Sequence, residues 1–249
     1  METRLTLEIL PQPDDVTCGP TCLQAVYRYH YAELALGQVI AEVPQLPKGG
    51  TLAVHLGVHA LSRGFDATLY TYNLEIFDPT WWAPGPTRLK EKLLAQREAK
   101  DDLRLRAATD AYLAYLAAGG IIRFQDLTAA LIRKYLVRQI PIITGLSATY
   151  LYRTAREYGP EDEYDDVRGE PSGHFVVLCG YSPKTRTVLV ADPIFENPVA
   201  HNHYYEVSID RLVGSILLGI LTHDANLLII RPSSMPKGRT SHVDSSGRQ

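Results

Sequence analysis

Apolar residues alternate with polar ones at the start of the chain. Leu5, Leu7 and Ile9 are separated by Thr6 and Glu8, which predicts a strand over 4–10. The period changes after the turn-rich stretch Pro11, Pro13, Asp14 and Asp15. Cys22, Ala25, Val26 and Tyr29 recur at helical spacing and predict a helix from Gly19 to about Tyr31. Pro20 is tolerated in its first turn, where a missing N–H loses no intrahelical bond. A short helix is predicted over 35–42, and Pro44, Pro47, Gly49 and Gly50 break the chain after it. Thr51 is expected to cap a further helix that places Leu52, His55, Leu56, His59 and Ala60 on neighbouring faces and stops at Gly64. Ala67, Leu69 and Thr71 alternate with Thr68, Tyr70 and Tyr72 and read as a strand.

Residues 75–118 differ in character. Trp81, Trp82, Pro84 and Pro86 form a loop, and a charged, Leu- and Ala-rich stretch from Thr87 to Ala118 predicts two helices closed by Gly119 and Gly120. Leu127, Ala130, Leu131 and Tyr135 place a helix at about 126–138, and Ile140–Thr144 reads as a strand. Residues 155–172 carry seven acidic and two basic side chains with no apolar period, so a solvated loop is expected, with a flap over a cleft as the functional alternative. Strands are predicted at 174–181, 187–192, 203–207 and 226–231, with a helix at 208–218. Helices precede an antiparallel sheet, the order of an α+β protein rather than of a parallel βαβ fold. The chain reads as a single domain over 1–231 with a helical insertion at about 75–118. The polar stretch 232–249 is expected to be a disordered tail.

Composition narrows the possibilities. The chain has 249 residues, 45% hydrophobic and 21% charged, enough to bury a core. A formal net charge of −3 without a basic stripe argues against nucleic acid as a partner. No apolar run reaches the roughly 18–20 residues of a membrane span. Glu2 and Glu8 fall where a signal peptide would be basic and then apolar, so a secretory leader is not expected. Three cysteines without a framework spacing read as free thiols, which suit a reducing compartment and predict a cytoplasmic protein. Oligomeric state stays open at this point.

The candidate chemistry lies in Cys18, His174 and Asp192. Cys18 stands where α-helical spacing begins, and a helix N-terminus beside an imidazolium stabilises a thiolate. His174 opens one predicted strand and Asp192 closes the next, and the turn Ser182–Arg186 between them makes a hairpin. Folding it puts His174 opposite 192–194, within the reach of directly opposed or diagonal side chains. An imidazole takes the thiol proton and later gives it to a leaving group, and a carboxylate on its other nitrogen fixes the ring. Gln12, six residues before Cys18, offers a side-chain amide for a developing oxyanion beside the Cys18 N–H.

These fragments, Gln12 with Cys18-Gly-Pro-Thr-Cys22, then Gly-His174-Phe-Val-Val and Ala-Asp192-Pro193, resemble the papain-like cysteine peptidases of the bacteriocin-processing (double-glycine leader) type, and more closely their stand-alone relatives. The resemblance implies a papain-like fold in which a helical half bearing the nucleophile packs on an antiparallel sheet. It implies Gln12 in the oxyanion hole, Cys18 as nucleophile, His174 as base and Asp192 as its orienting partner. It covers roughly 8–72 and 121–231. Thr17 departs from the acidic residue that often precedes the nucleophile, and transporter domains are absent, so leader cleavage during export is not implied.

The expected function is thiol-dependent hydrolysis of a peptide or amide bond through an acyl-enzyme, without a cofactor. Two alternatives stay open: an acyltransferase or amide-forming enzyme with the same triad, and an inactive peptide-binding module. The remaining thiols Cys22 and Cys179 read as core, and His55 and His59 as partly buried packing residues. Cys18 with Cys22, and His201 with His203, lack the usual spacing of structural zinc ligands. Trp81 and Trp82 are expected to pack the insertion on the core.

Overall fold

The computed structural model describes residues 2–46, 49–83, 88–222 and 225–233. The predicted break at Pro47, the loop residues Pro84 and Pro86, the start of the helical stretch at Thr87 and the tail 234–249 lie outside the described residues.

The first strand, β1, is only Thr3–Arg4. The predicted alternation persists to Ile9, since Leu5, Leu7 and Ile9 are buried, but the ladder does not. Leu5 N–H donates to the Cys179 carbonyl. Beyond it the segment is held by a side chain: the Tyr204 hydroxyl accepts from Ile9 N–H (3.1 Å) and donates to the Leu7 carbonyl (3.0 Å). Period-2 burial thus marks an extended segment without requiring a partner strand.

Helix α1 (Cys18–Tyr29) follows, buried continuously from Cys18 to Tyr27. A helix enclosed on every side needs its polar groups satisfied internally. Thr21 Oγ1 donates to the Thr17 carbonyl (2.8 Å) and Cys22 Sγ to the Phe175 carbonyl (3.3 Å). Helix α2 (Leu36–Glu42) and helix α3 (Ala53–Ser62) complete the N-terminal helical part. Thr51 does not cap α3. Its hydroxyl donates to the Pro44 carbonyl (2.7 Å), closing the preceding loop, and Leu52 occupies the cap position. Gly64 ends α3's turn with a positive φ of 85° and leads into β2 (Phe65–Thr71).

The stretch expected to be an insertion contains a 3-10 turn at Pro79–Trp82 and helices α4 (Leu89–Ala99) and α5 (Leu103–Ala117), the two helices predicted. Phe77 meets Tyr112 edge-on, with ring centroids 4.7 Å apart, and Trp82 stacks on Phe124 at 5.2 Å, so the tryptophans pack as expected. Then come β3 (Ile121–Arg123), α6 (Ala129–Leu136), β4 (Ile142–Ser147) and the short helix α7 (Ala148–Tyr152). The acidic stretch is more ordered than its composition suggests. It holds a small hairpin, β5 (Glu157–Tyr158) and β6 (Glu163–Tyr164), bridged to Glu170 through Glu157. The chain finishes with β7 (Gly173–Ser182), β8 (Thr187–Ala191), β9 (Tyr204–Ser208), α8 (Ile209–Leu218) and β10 (Asn226–Pro232).

The main sheet runs β3-β2-β10-β4-β7-β8-β9, with β1 paired to β7 beyond the end of β4. Every pairing is antiparallel except β2 with β3. The inner strands β4 and β7 are buried almost throughout, because helices cover both faces and leave no polar alternation in their sequence. Helix α1 lies against β7, and α8 against β4, β8 and β9. This is the α+β arrangement the sequence predicts, with the head of α1 brought onto the strand that carries His174.

Candidate active site

His174 is the second residue of β7, opposite Leu146 of β4. Its ladder with β8 pairs Val177 with Ala191 and Leu178 with Val190, and a bulge at Cys179 takes up one extra residue before the turn. Extending the register places position 194 opposite His174 and Asp192 on the diagonal. The predicted contact is made: His174 Nε2–H donates to Asp192 Oδ1 at 2.9 Å. The other ring nitrogen, Nδ1, is not used by Asp192, and the Cys18 side chain lies close enough to the ring to influence its charge. Cys18 is 8% exposed, His174 6% and Asp192 0%. The thiol thus sits at the end of a buried polar chain with a narrow opening to solvent.

Asp192 is held by four donors. Oδ1 also accepts from Ile194 N–H (2.9 Å), and Oδ2 accepts from the hydroxyls of Tyr152 and Tyr205, both at 2.7 Å. Burial alone would raise the carboxyl, but the charge and hydrogen bond of His174 and the two tyrosine bonds bring it below its ordinary value. Burial likewise opposes a charged His174. Asp192 and the Cys18 side chain overcome this and raise it to about 10. Both shifts favour an imidazolium–carboxylate pair. Sequence reasoning missed the two tyrosines. Tyr205 stands next to Tyr204 in a predicted strand, so one of the two had to point inward, but nothing in the sequence says toward what.

Gln12 is drawn to the same place from a different direction. Its N–H donates to the Pro193 carbonyl (3.0 Å), tying its loop to the residue after Asp192. Its side-chain Nε2 donates to the Asp14 carbonyl (2.7 Å). One of the two amide hydrogens is thereby used within the loop and the other is available.

The remaining thiols are core residues. Cys22 is fully buried and its thiol is raised well above the ordinary value by burial, with the nearby charges of Cys18 and Asp192 adding to it. Cys179, at the bulge, is pushed up to about 12 by burial. His59 bridges the Tyr27 hydroxyl (2.7 Å) and Glu42 (2.8 Å), and His203 Nδ1 bonds the Asp192 carbonyl (2.7 Å). No three His, Cys, Asp or Glu side chains cluster as metal ligands among the described residues.

The acidic hairpin borders this site. Glu157 is paired in backbone with Glu170, two residues before Ser172 and three before Gly173. Partial burial raises its carboxyl, a bond with Ser172 lowers it, and it also feels the charges of Asp162, His174 and Asp15.

The model of the Peptidase_C39 like family matches residues 101–211, just under half of the chain and the part that contains His174 and Asp192. The resemblance to that peptidase type holds over this stretch and supports a cysteine-peptidase type of function. No curated protein matches the chain. Solved structures similar to it include two peptidase domains. One is a double glycine motif protease from an AMS/PCAT transporter in complex with the leader peptide, with 14% identity over 94% of this chain and 99% of that one and a TM-score of 0.45. The other is the peptidase domain of Streptococcus ComA, a bi-functional ABC transporter, with 13% identity over 91% of this chain and 99% of that one and a TM-score of 0.42. Among the described residues no helix is long and apolar enough to cross a membrane.

Proposed function

We propose that this protein is a thiol-dependent hydrolase of peptide or amide bonds, with Cys18 as nucleophile, His174 as acid and base, and Asp192 as the carboxylate that orients the ring. The observation that carries the reading is the His174–Asp192 hydrogen bond with the Cys18 side chain beside the ring, all three residues buried.

Cys18 and His174 act as a thiolate–imidazolium pair with the proton on His174 Nδ1, and the Cys18 sulfur attacks the carbonyl carbon. A C–S bond forms and the carbonyl π pair moves to oxygen. The Cys18 N–H at the head of α1 and the free amide hydrogen of Gln12 donate to that oxyanion. As the oxyanion collapses the C–N bond breaks, and His174 gives its proton to the departing amine. Water then adds to the thioester carbon while His174 takes its proton, the C–S bond breaks, and the acid product leaves. Asp192 keeps Nε2–H in place throughout, so Nδ1 is the nitrogen that accepts and returns the proton. No step needs a cofactor; the family resemblance favours a peptide substrate, and three free thiols suit the cytoplasm.

The pH profile of iodoacetamide alkylation at Cys18 tests the reading, with the modified residue located by tandem mass spectrometry. Cys18 is expected to react at pH 6, and His174→Ala to slow that reaction by about a hundredfold, the difference between a paired thiolate and an ordinary thiol. Reaction confined to alkaline pH and indifferent to His174→Ala would remove the nucleophile assignment. Adding an amine to a turnover assay separates hydrolysis from transfer, because only an acyltransferase forms the new amide in preference to the acid.

A further inference from the structure

Asp192 is surrounded more completely than orientation of one imidazole requires. A carboxylate offers about four acceptor positions, and here all four are filled, by His174, Ile194 N–H, Tyr152 and Tyr205. The two tyrosines arrive from elements far apart in sequence. Tyr152 is the last residue of α7, a helix of one turn that begins where β4 ends. Ser147 caps it by accepting from Tyr150 N–H (3.3 Å), and Arg153 leaves it in a left-handed conformation with φ 60°. Because Ser147 is paired with Gly173, this turn sits beside His174, and the Tyr152 and His174 rings lie 6.1 Å apart. Tyr205 lies in β9, opposite Val190 and 5% exposed. Its neighbour Tyr204 points to the other face, as successive strand residues do, and holds the segment leading to Gln12.

We infer that Tyr152 and Tyr205 are positioning residues of the Cys18–His174–Asp192 site, their hydroxyls clamping Oδ2 of Asp192 so that Oδ1 is presented to His174 in one orientation. The carboxylate cannot rotate without breaking bonds to α7 and β9 together. The same bonds favour its charged form, since a hydroxyl donates better to a carboxylate than to a carboxylic acid. Other titratable groups face Asp192 as well: His174 from β7, His203 just before β9 through the Asp192 carbonyl, and Cys22 from α1. Each of these remains when a tyrosine hydroxyl is removed.

The inference rests on the catalytic reading, and one set of variants separates the two. Full-length protein labelled with 13C in its aspartate carboxyls is titrated by NMR as wild type, Tyr152→Phe and Tyr205→Phe. Cys18 alkylation by iodoacetamide is followed at pH 4.5 and pH 8 in the same proteins and in Asp192→Asn. Each Phe variant is expected to raise the Asp192 midpoint by about one pH unit, the effect of one lost hydrogen bond to a charged group. Each is also expected to lower the alkylation rate at pH 4.5 by up to about twofold relative to pH 8, as more of Asp192 becomes protonated. A residue that only fills space would change neither the midpoint nor that ratio. Should one variant not fold, the other removes a donor from the same oxygen and still decides. An Asp192 midpoint unmoved in the folded variants, while Asp192→Asn slows alkylation, overturns the clamp and leaves the triad standing. Asp192→Asn with wild-type alkylation overturns the triad and the positioning role with it, even if the midpoint moves.

Discussion

Two opposite pKa shifts on one buried pair give the site a pH signature. His174 is raised from its ordinary value to about 10 and Asp192 is lowered. A histidine raised on folding adds stability that is complete below the unfolded value near 6.5 and is lost as pH climbs toward the folded value. A lowered aspartate adds stability that is present above the ordinary carboxylate range and is lost as pH falls through the folded value. The pair therefore stabilises the fold most between these limits. Between pH 7 and pH 9 Cys18→Ala, in which no thiol titrates against the ring, should lose on the order of 2 kcal/mol that the Cys18→Ala, His174→Gln double variant does not lose, one proton's worth of linkage over that interval. Urea unfolding at the two pH values measures it. Parallel pH dependence in the two proteins would show that His174 is not held charged.

At the scale of elements, the site depends on how closely the head of α1 approaches β7. Gly19 makes that approach possible. A Cβ there would lie 2.7 Å from Thr51 Cγ2, 3.3 Å from Phe175 Cδ2 and 3.5 Å from Leu56 Cδ1. Thr51 cannot swing away without giving up its bond to the Pro44 carbonyl. Gly19→Ala is expected to cost about 1–3 kcal/mol, as overpacking does. It should also slow Cys18 alkylation at pH 6, because relieving the clash moves α1 away from His174. Wild-type stability together with a wild-type alkylation rate would contradict this. Phe175 links these contacts to the core: its carbonyl accepts from Cys22, and it follows His174 in β7.

For the molecule as a whole, the question is how the α4–α5 pair joins helices α1 to α3 and the sheet. Tyr115 of α5 supplies the join. It is fully buried, and its ring lies against Gly57 of α3 and Gly120, where no side chain would fit. The α4–α5 pair carries a two-point Arg97–Asp110 ion pair, with Nε–Oδ1 at 2.7 Å and Nη2–Oδ2 at 3.2 Å. It is exposed and contributes little beside the burial of Tyr115. Tyr115→Ala should destabilise the protein by about 3–5 kcal/mol, the range for truncating a buried aromatic side chain. Urea denaturation should still show one transition, because α5 packs on α3 and α3 on β2 and β10. A separate early transition would mean that the α4–α5 pair folds as its own unit.

Much of this was legible in the sequence, for reasons that differ between elements. Helical spacing located α1, α6 and α8 to within a few residues. The turn Ser182–Arg186 between two apolar runs was enough to bring His174 to Asp192, because antiparallel register follows from the turn. The acidic hairpin was unreadable, since its two short strands bury no apolar face and leave no period. The N-terminal strand was over-read, since alternation reports burial and not hydrogen-bond partners. The sequence by itself determined the α+β order of elements, the residue types of the site and the His174–Asp192 contact, all of them consequences of local periodicity or of one hairpin. Only the tertiary structure decided that Cys18 reaches His174 across more than 150 positions, and that Tyr152 and Tyr205 close around Asp192. Those contacts depend on the packing of α1, α7 and β9 about one strand, which no local pattern encodes.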